Sequence, residues 1–436
     1  MTAPRLVALA LLAAAAQAQP APPAWAADAV WYQLAPERVA DGGLQGVLDH
    51  VPDLDSLGVT VVSLPPALWG AASSHHVDPS VGPDPAGDAA LLADETADPA
   101  TWVWTSADRL LLDLAGELHR RGIRAVLGGA FGHGGTRSWD VPDGSGLDPA
   151  AYLLDVTRRW MDPDGDGDPS DGVDGWRLAA ATGVPDGFWR DWTALVGQVA
   201  PDALTVAEAD ADAPAYLARA GFGSAIDEHA LAVSLDAFAY DDRTDAAAFA
   251  ADVADRFRAV PEATLLTAPA RLGDTLASPA RAPRRAERDL QRAVVALRMA
   301  LPGAPVVVSG EEADLVAFYR RAIALRRSDA VLRRGTLSVL AAEGRVVAFE
   351  RVLGGDRRVV VFNAGDASAF VALPGAGVPA PLTPVLVSRD DAGRVPALVA
   401  SLGDDDVAYG LRVPARTTVV YRPASASDVR PKGLDE

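Results

Sequence analysis

The sequence predicts a (β/α)₈ barrel followed by a small antiparallel all-β domain. Between residues 30 and 327, short apolar runs of strand character alternate with stretches of helical periodicity, a pattern typical of a parallel sheet covered by helices. Eight such strand–helix units lie within roughly 300 residues, which suits a (β/α)₈ barrel. After residue 328 the apolar runs are separated by Gly, Asp, Asn and Pro, which favours antiparallel strands.

The individual elements follow from this pattern. The candidate barrel strands lie at residues 29–34, 59–64, 124–127, 173–178, 204–207, 224–226, 264–267 and 306–308. Helices are predicted at residues 44–57, 105–118, 150–160, 185–195, 290–301 and 315–325. The second of these helices begins at Thr105 and Asp108, which are spaced as a capping box. The strands of the β domain are expected at residues 346–351, 358–362, 369–373, 384–387 and 417–421.

The N-terminal segment has the features of a secretory signal peptide. Arg5 precedes an apolar run that is too short to span a bilayer, and Ala16-Gln17-Ala18 gives a small-x-small cleavage pattern. We therefore expect an exported protein, periplasmic or extracellular, without a membrane span. The expected organisation is a signal peptide over 1–18, a linker over 19–28, the barrel over 29–330, the β domain over 331–423 and a tail over 424–436.

Charge and cysteine content exclude several classes of function. The net charge is −20, and a surface this acidic repels nucleic-acid phosphates and anionic lipids, so nucleic acid is not an expected partner. The chain has no cysteine, which excludes disulfides and thiolate catalysis.

An aspartate-rich stretch, DPDGDGDPSDG at residues 162–172, precedes the fourth strand. Carboxylates at alternate positions followed by a glycine are typical of a calcium loop, in which oxygens converge on one ion. The stretch departs from the EF-hand pattern because Val173 replaces the final glutamate. We expect structural calcium; the alternative is an acidic loop exposed to water. The candidate ligands are Asp162, Asp164, Asp166, Asp168 and Asp171.

Several stretches follow one family pattern along nearly the whole chain. Residues 171–179 read DGVDGWRLA, residues 120–135 read RRGIRAVLGGAFGHGG, and residues 204–210 read LTVAEAD. Nearer the N-terminus, residues 30–42 read VWYQLAPERVADG and residues 73–80 read SSHHVDPS. Together these stretches resemble the α-amylase family, glycoside hydrolase family 13, and within it the cyclomaltodextrinases and neopullulanases. The resemblance implies a barrel with a C-terminal β domain and a role in α-glucan metabolism, with starch or maltodextrin as substrate.

The resemblance also implies which positions carry the chemistry. Retaining members of such families use two carboxylates, a nucleophile and an acid/base. The acid/base position carries Glu208, whereas the nucleophile position carries Ala179, whose methyl group cannot form a glycosyl ester. The family's His-Asp pair, which stabilises the transition state, corresponds to Pro269 and Ala270 in the stretch TLLTAPAR.

Other sugar-contacting positions are retained only in part. The resemblance implies substrate contacts for His75, His133 and Arg177. Few residues separate the third strand from the next helix, so the insertion that usually forms one wall of the cleft is expected to be short. The positions that have lost the family's Tyr, Asp and Asn are Val77, Gly128 and Gly132.

These substitutions favour a catalytically inactive family member, exported and retained for binding an α-glucan or for protein assembly. The alternative is a hydrolase of α-1,4-glucosidic bonds with altered, inverting chemistry that uses Glu208 and Asp210. Two residues apart on a strand, these carboxylates would lie about 6.6 Å from each other, near the lower limit for inversion. A third hypothesis is an assembly protein without any glycan contact.

Overall fold

The computed structural model describes residues 22–65, 75–96, 98–129, 131, 148–179, 181, 184–208, 213–227, 230–259, 265–266, 285–374, 382–389, 397–401 and 407–424. Within these residues, eight parallel strands form a closed barrel in sequence order, and the last strand pairs with the first. This confirms the predicted fold class. The strands are β1 Trp31–Gln33, β2 Val61–Leu64, β3 Arg124–Gly129, β4 Gly175–Leu178, β5 Leu204–Glu208, β6 Ser224–Asp227, β7 Leu265–Leu266 and β8 Ala304–Val308.

Helices alternate with the barrel strands along the chain. Helix α4 begins at the predicted capping box, where the side chains of Thr105 and Asp108 each accept a hydrogen bond from the other's amide. Within the described part of the chain, no helix is both long and apolar enough to cross a membrane. The helices are α1 Pro36–Asp49, α2 Val51–Leu57, α3 Pro85–Leu91, α4 Ser106–Arg120, α5 Pro149–Met161, α6 Asp186–Val199, α7 Ala213–Ala220, α8 Ala230–Ala239, α9 Ala246–Ala259, α10 Arg285–Ala300, α11 Val316–Ser328 and α12 Ala330–Arg334.

The prediction of a single helix over residues 44–57 is wrong, because the chain forms two helices there. Helix α1 ends at Asp49 and α2 begins at Val51, with His50 between them. Pro52 lies in the first turn of α2, where the missing N–H of proline is not needed. Inside one continuous helix, the same proline would remove a hydrogen bond and clash with the preceding turn.

Two antiparallel sheets form the C-terminal β domain. One has five strands in the order β13-β16-β11-β10-β9, and the other has three in the order β12-β15-β14. The sequence pattern missed β9, β14 and β15; β9 is an edge strand without a buried residue. The strands are β9 Thr336–Glu343, β10 Val346–Leu353, β11 Asp356–Asn363, β12 Ala369–Pro374, β13 Leu382–Val387, β14 Ala397–Ser401, β15 Val407–Val413 and β16 Thr417–Pro423.

The β domain packs on the barrel through helix α10. The Thr418 hydroxyl donates to the Ala293 carbonyl at 2.7 Å, and the buried Arg351 guanidinium donates to the Ala300 carbonyl at 2.5 Å. Because these backbone acceptors lie on α10 and its end, the polar contacts hold the two parts of the protein in one arrangement.

A buried ion pair ties α10 to the end of β8. Arg298 and Glu311 are both shielded from water and bonded to each other. The Glu311 carboxylate also accepts from the Tyr319 hydroxyl and, at 3.1 Å, from the Val308 amide. Since every charged group here has a protein partner, burial of the pair is compatible with the fold.

A second ionic cluster fixes the N-terminal end of β4. The Asp174 carboxylate accepts from His119 at 2.7 Å, from Arg124 at 2.7 Å and from the Ala125 amide at 2.8 Å. The hydrogen bond to Asp174 raises the pKa of His119, although burial acts in the opposite direction. Helix α4 and strand β3 are thereby joined to the start of β4.

We expect His119→Gln to destabilise the protein in a pH-dependent way. Because the folded-state pKa of His119 is raised, its stabilising contribution is complete below the unfolded value of about 6.5 and is lost as pH rises through the folded pKa. The difference in melting temperature between wild type and variant should therefore be largest near pH 5.5 and shrink toward pH 9. A difference independent of pH would contradict this assignment. His50→Gln, at the exposed end of α1, is the matched control.

Candidate active site

Arg177 and Glu208 lie side by side at the C-terminal ends of β4 and β5, the end of a barrel at which active sites form. Trp176 and Leu178 pack into the outer core, so strand alternation turns Arg177 toward the barrel interior. Glu208 shares a face with Val206, which belongs to a separate interior cluster. A guanidinium nitrogen of Arg177 lies 2.6 Å from Glu208 Oε1. The structure therefore brings together two predicted site residues.

The Arg177–Glu208 pair is largely shielded from water. The side chains are 10% and 21% exposed, respectively. The position that corresponds to the family's acid/base is thus arranged as the partner in an ion pair.

Ala179 directly follows β4 and is held in the barrel framework. Its amide donates to the Gly129 carbonyl of β3 at 2.8 Å, and the residue is half-buried. The backbone at the nucleophile position is therefore kept in place by the neighbouring strand. Its methyl side chain offers no atom that could attack a sugar carbon.

The structure also describes Val77 and Gly128, two other positions that have lost the family's side chains. Val77 is completely buried in the main core, and its amide donates to Asp108 Oδ1 at 2.8 Å. Gly128 lies on β3 directly opposite Arg177 in the register of the two strands. Gly128 is thus next to the candidate site, whereas Val77 is a core residue.

His75 lies in a buried polar network with the neighbouring His76. The residue is 4% exposed, and its ring nitrogens contact the Tyr152 hydroxyl at 2.7 Å and Glu95 Oε1 at 2.6 Å. Burial lowers the pKa of His75 to about 4, so the ring is neutral at pH 7. Trp102 stacks on the ring with centroids 4.2 Å apart. The assignment of His75 to sugar contact stays a prediction.

Five predicted positions lie outside the described residues. They are His133, Gly132, Pro269, Ala270 and the alternative base Asp210.

The aspartate-rich loop gathers three of its five candidate ligands. Carboxylate oxygens of Asp162, Asp164 and Asp171 all lie within 4.8 Å of one another. Asp166 and Asp168 are not part of this group; Asp166 accepts the Asp168 amide at 2.7 Å, and Asp168 accepts the Ser170 amide at 3.1 Å. These two carboxylates support turns of the loop.

The three gathered carboxylates lie close enough together to contact one cation. Oxygens that bind calcium at 2.3–2.6 Å lie at most about 5 Å apart across the ion, so the observed spacing fits. Burial, together with the negative charges of Asp164 and Asp162, raises the pKa of Asp171. A divalent cation would remove this repulsion.

Comparisons with known proteins identify relatives across most of the chain, although no family model matches it. A cyclomaltodextrinase from a Bacillus species is 26% identical over 439 residues, covering 78% of this chain and 74% of that protein. An intracellular maltogenic amylase from Bacillus subtilis is 24% identical, covering 80% of this chain and 71% of that protein. Over most of its length the chain is similar to members of the α-amylase family, glycoside hydrolase family 13.

A solved structure has the same fold. A debranching enzyme from Nostoc punctiforme superimposes with a TM-score of 0.67 at 18% identity, covering 93% of this chain and 100% of that one. The same enzyme has also been solved after soaking with acarbose, where the TM-score is 0.65.

The family pattern did not predict the partners of the two buried histidines. Glu95 and Asp108 bind His75 and His76, but neither acid lies in a stretch that carries the family resemblance. The one available signal was the His-His dipeptide, since two adjacent imidazoles in a core need polar partners.

Proposed function

We propose that this protein is a member of the α-amylase family that binds α-glucans without hydrolysing them. The observation that carries the proposal is the methyl group of Ala179 at the nucleophile position, beside a retained Arg177–Glu208 pair. Relatives named cyclomaltodextrinase and maltogenic amylase, together with a neighbour soaked with acarbose, support a maltooligosaccharide as the ligand.

The proposed inactivity follows from the chemistry of retaining hydrolysis. That reaction needs a carboxylate to attack the sugar and a second carboxyl group about 5–5.5 Å away to protonate the leaving oxygen. The methyl group at position 179 can neither attack the sugar nor carry a negative charge. Glu208 lies against the Arg177 guanidinium. What remains is a polar pair at the barrel rim, able to exchange hydrogen bonds with sugar hydroxyls.

Calorimetric titration with maltoheptaose tests the binding proposal. Glu208→Ala should weaken binding by roughly 10- to 100-fold, because a hydrogen bond to a charged group contributes about 1.5–3 kcal/mol. The matched control is Asp186→Asn, which breaks an exposed ion pair with Arg219 on the barrel's outer helices. Equal affinity in wild type and Glu208→Ala, or no binding by the wild type, would contradict the proposal. The second outcome would favour an assembly role.

We also propose that the aspartate-rich loop binds structural calcium through Asp162, Asp164 and Asp171. The proposal is supported by the oxygen donors and their mutual spacing of at most 4.8 Å. The ion would offset the repulsion among the carboxylates and fix the approach to β4, which ends at Arg177.

Calcium is expected to raise the melting temperature. At a free concentration about 100-fold above Kd, binding only to the folded state stabilises it by about 2.7 kcal/mol. Asp164→Ala should abolish the dependence, whereas Asp191→Ala, at an exposed carboxylate on α6, should retain it. Equal melting temperatures in chelator and in millimolar calcium would leave the loop as a solvated acidic segment.

Export completes the proposal and is supported by the signal-peptide pattern over residues 1–18. N-terminal sequencing of the secreted protein tests it, since cleavage after Ala18 leaves Gln19 as the first residue. Retention of residues 1–18 in the mature protein would contradict it.

A further inference from the structure

Two adjacent histidines and one glutamate converge in the segment that follows β2. One nitrogen of His75, one of His76 and a carboxylate oxygen of Glu95 all lie within 4.8 Å of one another. Both Nε2 atoms contact the same oxygen, Glu95 Oε1, at 2.6 and 2.7 Å. The two histidines are 4% exposed. Three strong metal donors therefore point at one small buried volume.

The second polar atom of each of these three side chains also has a hydrogen-bond partner. His76 Nδ1 contacts Asp108 Oδ2 at 2.7 Å, and His75 Nδ1 contacts the Tyr152 hydroxyl at 2.7 Å. The second oxygen of Glu95 accepts the Val103 amide at 3.0 Å. A carboxylate behind a ligating imidazole is the usual support of a metal-bound histidine, since it fixes the tautomer and the orientation of the ring.

We propose that His75 Nε2, His76 Nε2 and Glu95 Oε1 form a zinc site. Two imidazole nitrogens and one carboxylate oxygen are a common zinc donor set, and a tetrahedral ion keeps its fourth position for water. Calcium and magnesium prefer all-oxygen sites, so this cluster differs in chemistry from the aspartate-rich loop.

The observed distances are compatible with entry of the ion after a small adjustment. Ligands at 2.0–2.1 Å from tetrahedral zinc lie about 3.3 Å apart, so each Nε2 would move away from Glu95 Oε1 by roughly 0.6–0.7 Å. Zinc would replace the Nε2 proton of His76, and His75 would take the tautomer that donates from Nδ1 to Tyr152. Both rings would keep the hydrogen bonds of their Nδ1 atoms when the ion is bound.

The site would join elements that are separate in sequence. His75 and His76 follow β2, Glu95 follows α3, Asp108 lies on α4 and Tyr152 on α5. Bound zinc would hold the segment after β2 against two barrel helices. This role does not depend on the proposed glycan binding.

Zinc titration of chelator-treated protein tests the site, with Asp164→Ala as the background so that the aspartate-rich loop does not contribute. We expect about one zinc per chain, with affinity lowered roughly tenfold or more in His76→Gln and in Glu95→Gln. His50→Gln, which removes a histidine at the end of α1, should bind zinc as the background protein does. No zinc retained by the folded background protein, or undiminished binding in both site variants, would overturn the proposal.

Cobalt substitution provides a second measurement that requires no variant at the site. Cobalt in a four-coordinate site gives strong visible absorption, whereas six-coordinate surface cobalt absorbs weakly. We expect the four-coordinate spectrum in the Asp164→Ala background, and its loss when one equivalent of zinc is added. A weak six-coordinate spectrum alone would overturn the proposal even if His76→Gln fails to fold.

Discussion

Glu311→Ala is expected to lower the free energy of unfolding by about 3–5 kcal/mol, the cost of removing one partner of a buried ion pair. The truncation leaves the Arg298 guanidinium without its counter-charge in a region closed to water. It also removes the acceptor for the Tyr319 hydroxyl and the Val308 amide. Urea unfolding followed by tryptophan fluorescence measures the change.

The control for this variant is Asp314→Ala. Asp314 pairs with Arg288 at 3.1 Å between exposed side chains, and exposed pairs contribute only about 0–1 kcal/mol. If Glu311→Ala cost no more than Asp314→Ala, the pair would not be the link between α10 and β8 that its burial indicates.

Restoration of the family's side chains at five substituted positions is expected to produce α-glucan hydrolysis. Ala179→Asp alone should stay inert, because a nucleophile without the groups that stabilise the transition state lacks most of the required stabilisation. A variant with five replacements should release reducing sugar from maltoheptaose above the blank. The replacements are Ala179→Asp, Gly128→Asp, Gly132→Asn, Pro269→His and Ala270→Asp.

The sixth family side chain, tyrosine at position 77, is best left out of this variant. Val77 is fully buried, and forcing a larger side chain into a packed core costs about 1–3 kcal/mol or more. The matched control carries the same five replacements with Glu208→Gln, and should be inactive. A five-fold variant that folds and binds maltoheptaose but releases no sugar would show that the lost activity has another cause.

The sequence predicted the barrel because its strands are short apolar runs with helical periodicity between them. The prediction failed for elements whose local sequence lacks a distinctive apolar pattern. Strand β9 is an edge strand without a buried residue, and the break between α1 and α2 depends on the place of Pro52 within the first turn of a helix.

At the candidate site, the proximity of Arg177 and Glu208 could be predicted from the sequence, because both residues lie at the ends of neighbouring parallel strands. The contact of His75 with Glu95 could not be predicted, because it depends on how the irregular segment after β2 folds back on itself. Likewise, the spacing of the aspartates did not predict that Asp171 joins Asp162 and Asp164 while Asp166 lies outside this group.

Time-resolved proton NMR of maltoheptaose mixed with the wild-type protein tests the absence of hydrolysis most directly. The measurement reports binding through broadened ligand signals and bond cleavage through the integrals of the anomeric protons. With a methyl group at position 179, we expect broadened signals and anomeric integrals that stay constant. New reducing-end signals that grow with time and vanish in Glu208→Gln would contradict the proposed inactivity. Their first-formed anomer would then show whether the reaction retains or inverts configuration.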